Sequence, residues 1–554
     1  MSTLPIPLPE GTPSPQLHQG RPRNVTDRAP VEVLAHIFQF YIEPLDSEAT
    51  IFNHPCVQPK DVLPLGAVCQ RWRMIAWDWP RLWNSLTFRL HSTTTEEMVQ
   101  LAIEWLGRSG RLSLSIFLRE DFEYFETKTS ELLIPLADTV SQVLHRCHYL
   151  RLSDLMPSVL SHISVVHPID SPTVLKTLIV ECDENLYNIT PLLNFGTAAP
   201  LVLTIAYIKL DRIVMDWNNL TELVAYCLYL DEILQVLALA PKIVKLHIFM
   251  EFHSQDNHNR PVESRSLHCA NLRDLYLDTF DPYRRPGSGE IVSTFLRTTT
   301  LPSLTTFRVQ HSPPFPTLVF LDFVCRSGCT ITKLSLNEEC ISVDDLVMLA
   351  KGLPAVTSFS FHLCPDDSHI QLSPLHDLLR VFCLDDQFHD HDDVLFPNLK
   401  HISVGSIKPV PWELLPGLKW KYSYWQDGTR SVQRGRPNLE SIFAIHDFED
   451  SLYVGSRLEY AEKYHPPENS DSVPEQLIQD WETFYKLWQL TEDVCLTVGI
   501  WPDAMASDYA ADLFALSYRV LPKFVGEPPE YIRKSWEAKK WPISWTIPKD
   551  QQRY

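Results

Sequence analysis

One stretch of this chain has the residue types for metal chemistry. His389-Asp-His-Asp-Asp393 sets two imidazoles and three carboxylates within five residues, a donor set that could hold a divalent cation. The alternating spacing gathers these groups only on one face of a strand. The stretch also follows Cys383-Leu-Asp-Asp386 in a charged segment, so it reads as a solvated loop. Cys325-Arg-Ser-Gly-Cys329 has no companion ligands and reads as a helix end with Gly328 just past it. The chain has no Gly-x-x-x-x-Gly-Lys-Ser/Thr, no Gly-x-Ser-x-Gly and no His-Glu-x-x-His, and its 17 glycines form no phosphate-cradling loop. The expectation is a protein that is not an enzyme, with no catalytic residue, no metal site and no cofactor. Its function is to be sought in surfaces that bind other molecules.

The elements that would build such surfaces start near the front. From Pro30 to Tyr41 the apolar residues Val33, Leu34, Ile37, Phe38 and Tyr41 fall at helical spacing. Pro30 suits a first turn and Pro44 ends the segment. A second run carries Leu65, Val68, Cys69, Trp72, Ile75, Ala76 and Trp79, with Asp61 and Pro64 as start signals and Pro80 as the stop. Helices this short need a partner surface. They carry Phe38, Phe40, Tyr41, Trp72, Trp77, Trp79 and Trp83, more large apolar groups than one buried stripe uses. On pattern alone the segment is either the cap of a larger domain or an interface.

These residues resemble an F-box, the helical module that docks onto the Skp-family linker of SCF-type (Skp/cullin/F-box) ubiquitin ligases. The opening Leu-Pro-x-Glu-Ile-Leu-x-x-Ile-Phe of that family is met by Pro30, Glu32, Val33, Leu34, Ile37 and Phe38, with Ala29 in place of the Leu. The second half is met by Leu65, Val68, Cys69, Trp72, Arg73, Ala76, Pro80, Leu82 and Trp83, and the Pro80-Arg-Leu-Trp83 ending resembles the version common in fungal F-box proteins. The intervening Glu43 to Lys60 is a longer, Pro-containing excursion. The resemblance implies that Pro30, Val33, Leu34, Ile37, Leu65, Val68, Cys69, Trp72 and Ile75 support binding of the linker, partly by contact and partly by packing. Through that linker the partners would be cullin and RING subunits, and the chain would be the receptor for an unidentified protein substrate.

Behind the module a phrase recurs: apolar-x-x-apolar-x-apolar. It stands at Leu175, Leu220, Ile243, Leu272, Leu304, Ile331, Val356, Leu399 and Leu439. From Leu220 to Val356 successive copies lie 23, 29, 32, 27 and 25 residues apart, the spacing of a leucine-rich repeat. The wider gaps on either side leave room for one degenerate copy each, with Leu201 to Ile208 a candidate strand. Helical spacing between phrases at Asp231–Ala240 and Val343–Leu353, the latter capped by Ser342, supplies the second layer. The Asn or Cys usual eight positions after the first apolar residue is mostly missing: Cys364 keeps it, Asp183 and Asp447 are polar stand-ins, and Glu339 and Ile407 occupy others. The expected fold class is α/β: a short helical F-box, then an irregular leucine-rich-repeat solenoid with a parallel sheet inside and helices outside, then a helical cap. An ordinary α/β domain with coincidental Leu spacing is the alternative.

The expected organisation is a disordered Pro-rich stretch over 1–26, the F-box-like module over 27–87, the repeat array over 88–455 and a Trp-rich, mainly helical extension over 456–554. In the last, Ser472 caps a helix carrying Trp481, Phe484 and Trp488, and a second helix spans Asp508 to Leu521. That extension either seals the array or contacts the substrate. The net charge of −21 argues against nucleic acid, and no apolar run is long enough for a membrane span. Twelve cysteines without a Cys-x-x-Cys pattern fit a reducing, cytoplasmic or nuclear location, where the sequons at Asn24, Asn188 and Asn219 stay unused. A repeat scaffold or inhibitor acting outside any ligase is the alternative function.

Overall fold

The computed structural model describes residues 28–42, 59–91, 93–121, 131–163, 174–184, 189–250, 266–278, 288–310, 315–337, 341–362, 375–383, 395–406, 412–424, 430–434, 436, 438–446, 478–500, 514, 517, 521–522 and 525–538. The stretch over 1–26, the excursion after Glu43, the His389–Asp393 cluster and the Ser472 cap lie outside these residues. The described chain forms two compact units, one of residues 1–88 and 95–117, the other of residues 89–94 and 118–554.

The first unit holds α1 (Val31–Ile42), α2 (Pro59–Val68), α3 (Gln70–Asp78), β1 (Ser85–Leu90), α4 (Glu96–Arg108) and the start of β2 (Leu114–Glu120), which neighbours β1. Its core is a tryptophan stack. The Trp83 ring lies 4.6 Å from Trp105 and 5.4 Å from Trp77, with edges on faces. Both buried indole N–H groups find carbonyls: Trp83 Nε1 donates to Ala76 O at 2.8 Å and Trp105 Nε1 to Ser85 O at 2.9 Å. The Arg108 guanidinium covers the Trp77 and Trp83 rings at 5.5 and 5.3 Å. Helix α4, which follows the expected module boundary at 87, is thus part of the module's own core.

In the second unit the strands of the main sheet follow chain order, apart from three short two-stranded sheets, one of them the antiparallel pair Trp420–Tyr424 with Arg430–Arg434. The main-sheet strands are β3 (Cys147–Ser153), β4 (Thr177–Glu181), β5 (Val202–Ala206), β6 (Glu222–Tyr226), β7 (Lys245–Phe249), β8 (Asp274–Asp278), β9 (Thr306–Gln310), β10 (Lys333–Asn337), β11 (Ser358–His362), β12 (His401–Ser406), β13 (Ser441–His446) and β14 (Cys495–Ile500). Every neighbouring pair is parallel. All nine phrases end in a strand, and their fourth residues stack in register: Leu178, Leu223, Leu246, Leu275, Phe307, Leu334, Phe359, Ile402 and Ile442, joined by Leu203 of β5, make one column, each at most 2 % exposed. Period-2 strands can place a whole column in the core only if no copy slips by a residue.

Helices join the strands on the other side of that column. Among them are α5 (Ile134–Val143), α6 (Leu230–Leu239), α7 (Ser288–Thr298), α8 (Thr317–Ser327), α9 (Val343–Gly352) and α10 (Leu375–Phe382), and from α6 onward each packs on the next. Ser342 accepts from Asp345 N at 3.1 Å and starts α9 as its sequence predicts; Gly328 ends α8 at φ +63°, where a Cβ would be strained. The fold class read from the sequence is therefore the one observed: a helical module, then a leucine-rich-repeat-like parallel sheet with alternating helices.

The coils are joined by main-chain hydrogen bonds where each strand begins. The carbonyl of the phrase's second residue accepts two consecutive N–H groups of the next copy. Thr305 O, for example, receives Thr332 N at 2.8 Å and Lys333 N at 3.0 Å. Lys176, Leu201, Thr221, Val244, Arg273, Thr332, Thr357 and Lys400 do the same. Four threonines double the contact with a hydroxyl: Thr221 to Leu201 O, Thr305 to Arg273 O, Thr332 to Thr305 O and Thr357 to Thr332 O, at 2.9 to 3.3 Å. Asn271 and Asn398 reach back to Pro241 O and Pro354 O at 2.9 and 3.0 Å.

One expectation changes. The gap from Leu175 to Leu220 does hold a further strand, β5, but β11 pairs directly with β12, so the gap from Val356 to Leu399 adds none to the sheet. Past residue 455 the described residues hold a strand besides their helices. After α11 (Trp481–Asp493), capped by Asp480 through Thr483 N at 2.8 Å, β14 continues the parallel sheet beside β13. That last helix packs Phe484 against Phe514 and Trp488, and α12 (Glu530–Ala538) follows.

Asp154, just after β3, sits at φ +63° beside Arg119, 3.5 Å away. Burial pushes its carboxyl up to about 6, with Arg119 opposing and Glu181 and Asp183 reinforcing the rise. The folded chain thus keeps this proton where an unfolded Asp has lost it. The stability that results is complete below the ordinary value of 3.8 and disappears as pH rises through about 6. Asp154→Asn is expected to flatten the fall in melting temperature between those two pH values, which thermal melts across that range will check.

Candidate protein-docking surface

Helix α1 has two apolar faces. One turns inward: Leu34, Ala35, Phe38 and Ile42 are buried, and the Phe38 ring meets Trp72 of α3 at 4.7 Å. The other stays in solvent. Val33 is 47 % exposed, Ile37 51 % and Tyr41 66 %, four residues apart and so one above the next along the helix, with Phe40 beside them at 76 %. The helical spacing that joined Val33, Leu34, Ile37, Phe38 and Tyr41 into a single stripe thus merges two. Leu34 and Phe38 form the inner one; Val33, Ile37 and Tyr41 form the outer one.

The second run also divides. It is not one helix but two, broken at Cys69, whose backbone is extended at φ −160° and whose Sγ accepts Trp72 N at 3.4 Å as the cap of α3. Helix α2 begins at Pro59 and takes Pro64 into its interior, so Pro64 is not the start signal its type suggests. Val62, Leu65, Ile75 and Ala76 are buried; Val68 and Met74 remain 59 % exposed. Arg73 Nε donates to Gly66 O at 2.8 Å and Arg71 Nη2 to Ala29 O, which tie the α2–α3 turn and the approach to α1 in place.

The nine residues expected to support docking separate accordingly. Pro30, Val33, Ile37, Val68 and Cys69 are exposed and open to contact, Trp72 is half-buried against Phe38, and Leu34, Leu65 and Ile75 are buried and act by packing. Phe40, Tyr41 and Met74 are exposed apolar residues outside that set. The signal for them was in the sequence: a helix apolar on both sides has one face more than its own core uses. Among the described residues no group of three or more His, Cys, Asp or Glu could hold a metal ion, and no helix is long and apolar enough to cross a membrane.

Residues 28–89 match the family model described as F-box-like, which covers the three helices just described and all but the last residue of β1. No curated protein matches the chain. Among solved structures, the crystal structure of the leucine-rich repeat-containing protein LegL7 from Legionella pneumophila is similar at 12 % identity, over 65 % of this chain and 90 % of that one, with a TM-score of 0.28.

The two faces of α1 make separable predictions. Leu34→Ala removes a side chain that is 2 % exposed and is expected to destabilise the first unit by about 2–5 kcal/mol. Ile37→Ser, on the outer face, is expected to stay within about 0.5 kcal/mol of the parent. Gly66→Ala would bring a Cβ to 2.2 Å from the Trp77 ring and is expected to cost about 1–3 kcal/mol. Denaturant melts followed by tryptophan fluorescence report all three.

Proposed function

We propose that this chain is a substrate-receptor subunit of an SCF-type E3 ubiquitin ligase. The helical module binds a Skp-family linker, and through it the cullin and RING subunits; the repeat sheet holds a client protein. The observation that carries this reading is the outer face of α1. Val33, Ile37, Phe40 and Tyr41 are apolar and exposed on a helix whose opposite face already fills its own core, within residues that match an F-box-like module. Contiguous exposed apolar groups of this size mark a binding surface. Pro30, Val68 and Cys69 extend the contact; Leu34, Leu65, Trp72 and Ile75 hold the helices in the geometry that presents it. The fungal type of module suggested by Pro80-Arg-Leu-Trp83, and a cytoplasmic or nuclear location, belong to the same proposal.

The chain on this reading performs no bond chemistry. It turns the encounter between a charged ubiquitin carrier and a client into an intramolecular one, and effective concentration is its contribution to rate.

Val33→Asp with Ile37→Asp places two carboxylates on the outer face without touching the core. Co-expressed with a Skp-family linker, the parent chain is expected to co-purify with it and the double variant to lose it, with both melting at the same temperature. Retention of the linker by the double variant would overturn the proposal. A folded parent chain that never captures the linker would favour a repeat scaffold working outside any ligase.

A further inference from the structure

The solvent-facing side of the sheet changes character at β9. On the earlier strands acids and bases alternate and neutralise one another: Arg151 with Glu181 at 3.0 Å, Lys245 with Glu222 at 3.2 Å, His247 with Asp274 at 3.7 Å. From β9 through β12 no Asp or Glu stands at any solvent-facing register position, in a chain with 21 excess negative charges. Four of those positions carry basic residue types instead: Arg308, Lys333, His362 and His401. Arg308 and Lys333 are exposed; among the described residues Lys333 has no ion-pair partner, and Arg308 acts across the strands on the Asp274 carboxylate without a close ion pair. His401 bonds Ser441 Oγ at 2.9 Å and lies 3.9 Å from Glu440, which Lys400 already holds at 2.8 Å.

The residues between the bases are small. Arg308, Ser335, Ser360 and Ser403 occupy one register row across the four strands, so the side chains beside the cations are serines, Ser335 among them buried. Four adjacent strands span about 14 Å. The bases are distributed along that length rather than converging on one point. A single dianionic group could meet at most a neighbouring pair, whereas an extended chain with carboxylates on alternate residues, about 7 Å apart, meets them in succession.

We propose that the β9–β12 floor docks an extended, Asp/Glu-rich segment of the client; this rests on the reading that the repeats hold a client. Elsewhere the chain's net charge repels such a segment, so the floor sets both where it lands and in which stretch of the sheet.

The test uses the full chain and three short fluorescent synthetic peptides: alternating Asp-Gly, alternating Lys-Gly, and Ser-Gly with one central phosphoserine. By anisotropy at low ionic strength, the Asp-Gly peptide is expected to bind at least about tenfold more tightly than the other two and to weaken steeply with added salt. Arg308→Gln with Lys333→Gln is expected to erase the preference, and Lys351→Gln, on α9, to leave it intact. Should the double variant melt early, Ser403→Asp, which adds a carboxylate to the floor, is expected to weaken the Asp-Gly peptide by a similar factor. Equal binding of all peptides, preference for the basic or the phosphorylated one, or indifference to these substitutions would overturn the proposal. Linker capture depends on the other unit and is expected to be unchanged in every variant. Its loss in the parent would count against the ligase role alone.

Discussion

One carbonyl per coil governs the second unit. Where each strand begins, the oxygen of the phrase's second residue takes two N–H groups from the following coil, and this repeats from Lys176 to Lys400. A buried backbone needs every polar group satisfied. At the strand starts the main chain does this itself, with Thr221, Thr305, Thr332 and Thr357 adding hydroxyls. The arrangement fixes the start of each strand to that of its neighbour. It therefore fixes the column from Leu178 to Ile442 in the core and the alternate residues in solvent. The charge pattern of the exposed side has meaning only because this register does not slip.

The first unit solves a different problem. Its helices are too short to stand alone, and the solution is tryptophan: Trp77, Trp83 and Trp105 pack together with Arg108 over Trp77 and Trp83, and the indole nitrogens of Trp83 and Trp105 are satisfied by carbonyls of the preceding elements. Three large rings give so small a core enough contact that one side of α1 suffices to anchor it. The other side is left free to be apolar and exposed. Large residues at this front end thus serve two ends, and burial rather than residue type tells which: Phe38 is 1 % exposed and Phe40, two positions on, 76 %.

Much of this was legible in the sequence. The phrase predicted every strand it was found in, because apolar residues at positions four and six of a parallel strand have no destination but the core. Two copies escaped: β3, whose phrase keeps the spacing but opens on Cys147 instead of Leu, Ile or Val, and β14, hidden among the tryptophans of the last hundred residues. The main-chain bonds between coils were not legible, since a backbone carbonyl accepts two bonds whatever its side chain, as Lys176, Val244 and Arg273 show. At the module, helical spacing could not separate Leu34 from Val33, because neighbouring residues about 100° apart both fit a broad stripe. The break at Cys69 was likewise invisible; sulfur is a rare helix cap, and its neighbours continue the apolar period.

Strand order that copies chain order also has a mechanical side. Each strand of the second unit's main sheet, ends apart, pairs only with the one before and the one after it. Tension drawn between the two ends of the array would load one inter-coil seam after another rather than all at once, and the sheet would pay out in steps, coil by coil, like a spring with graded stops.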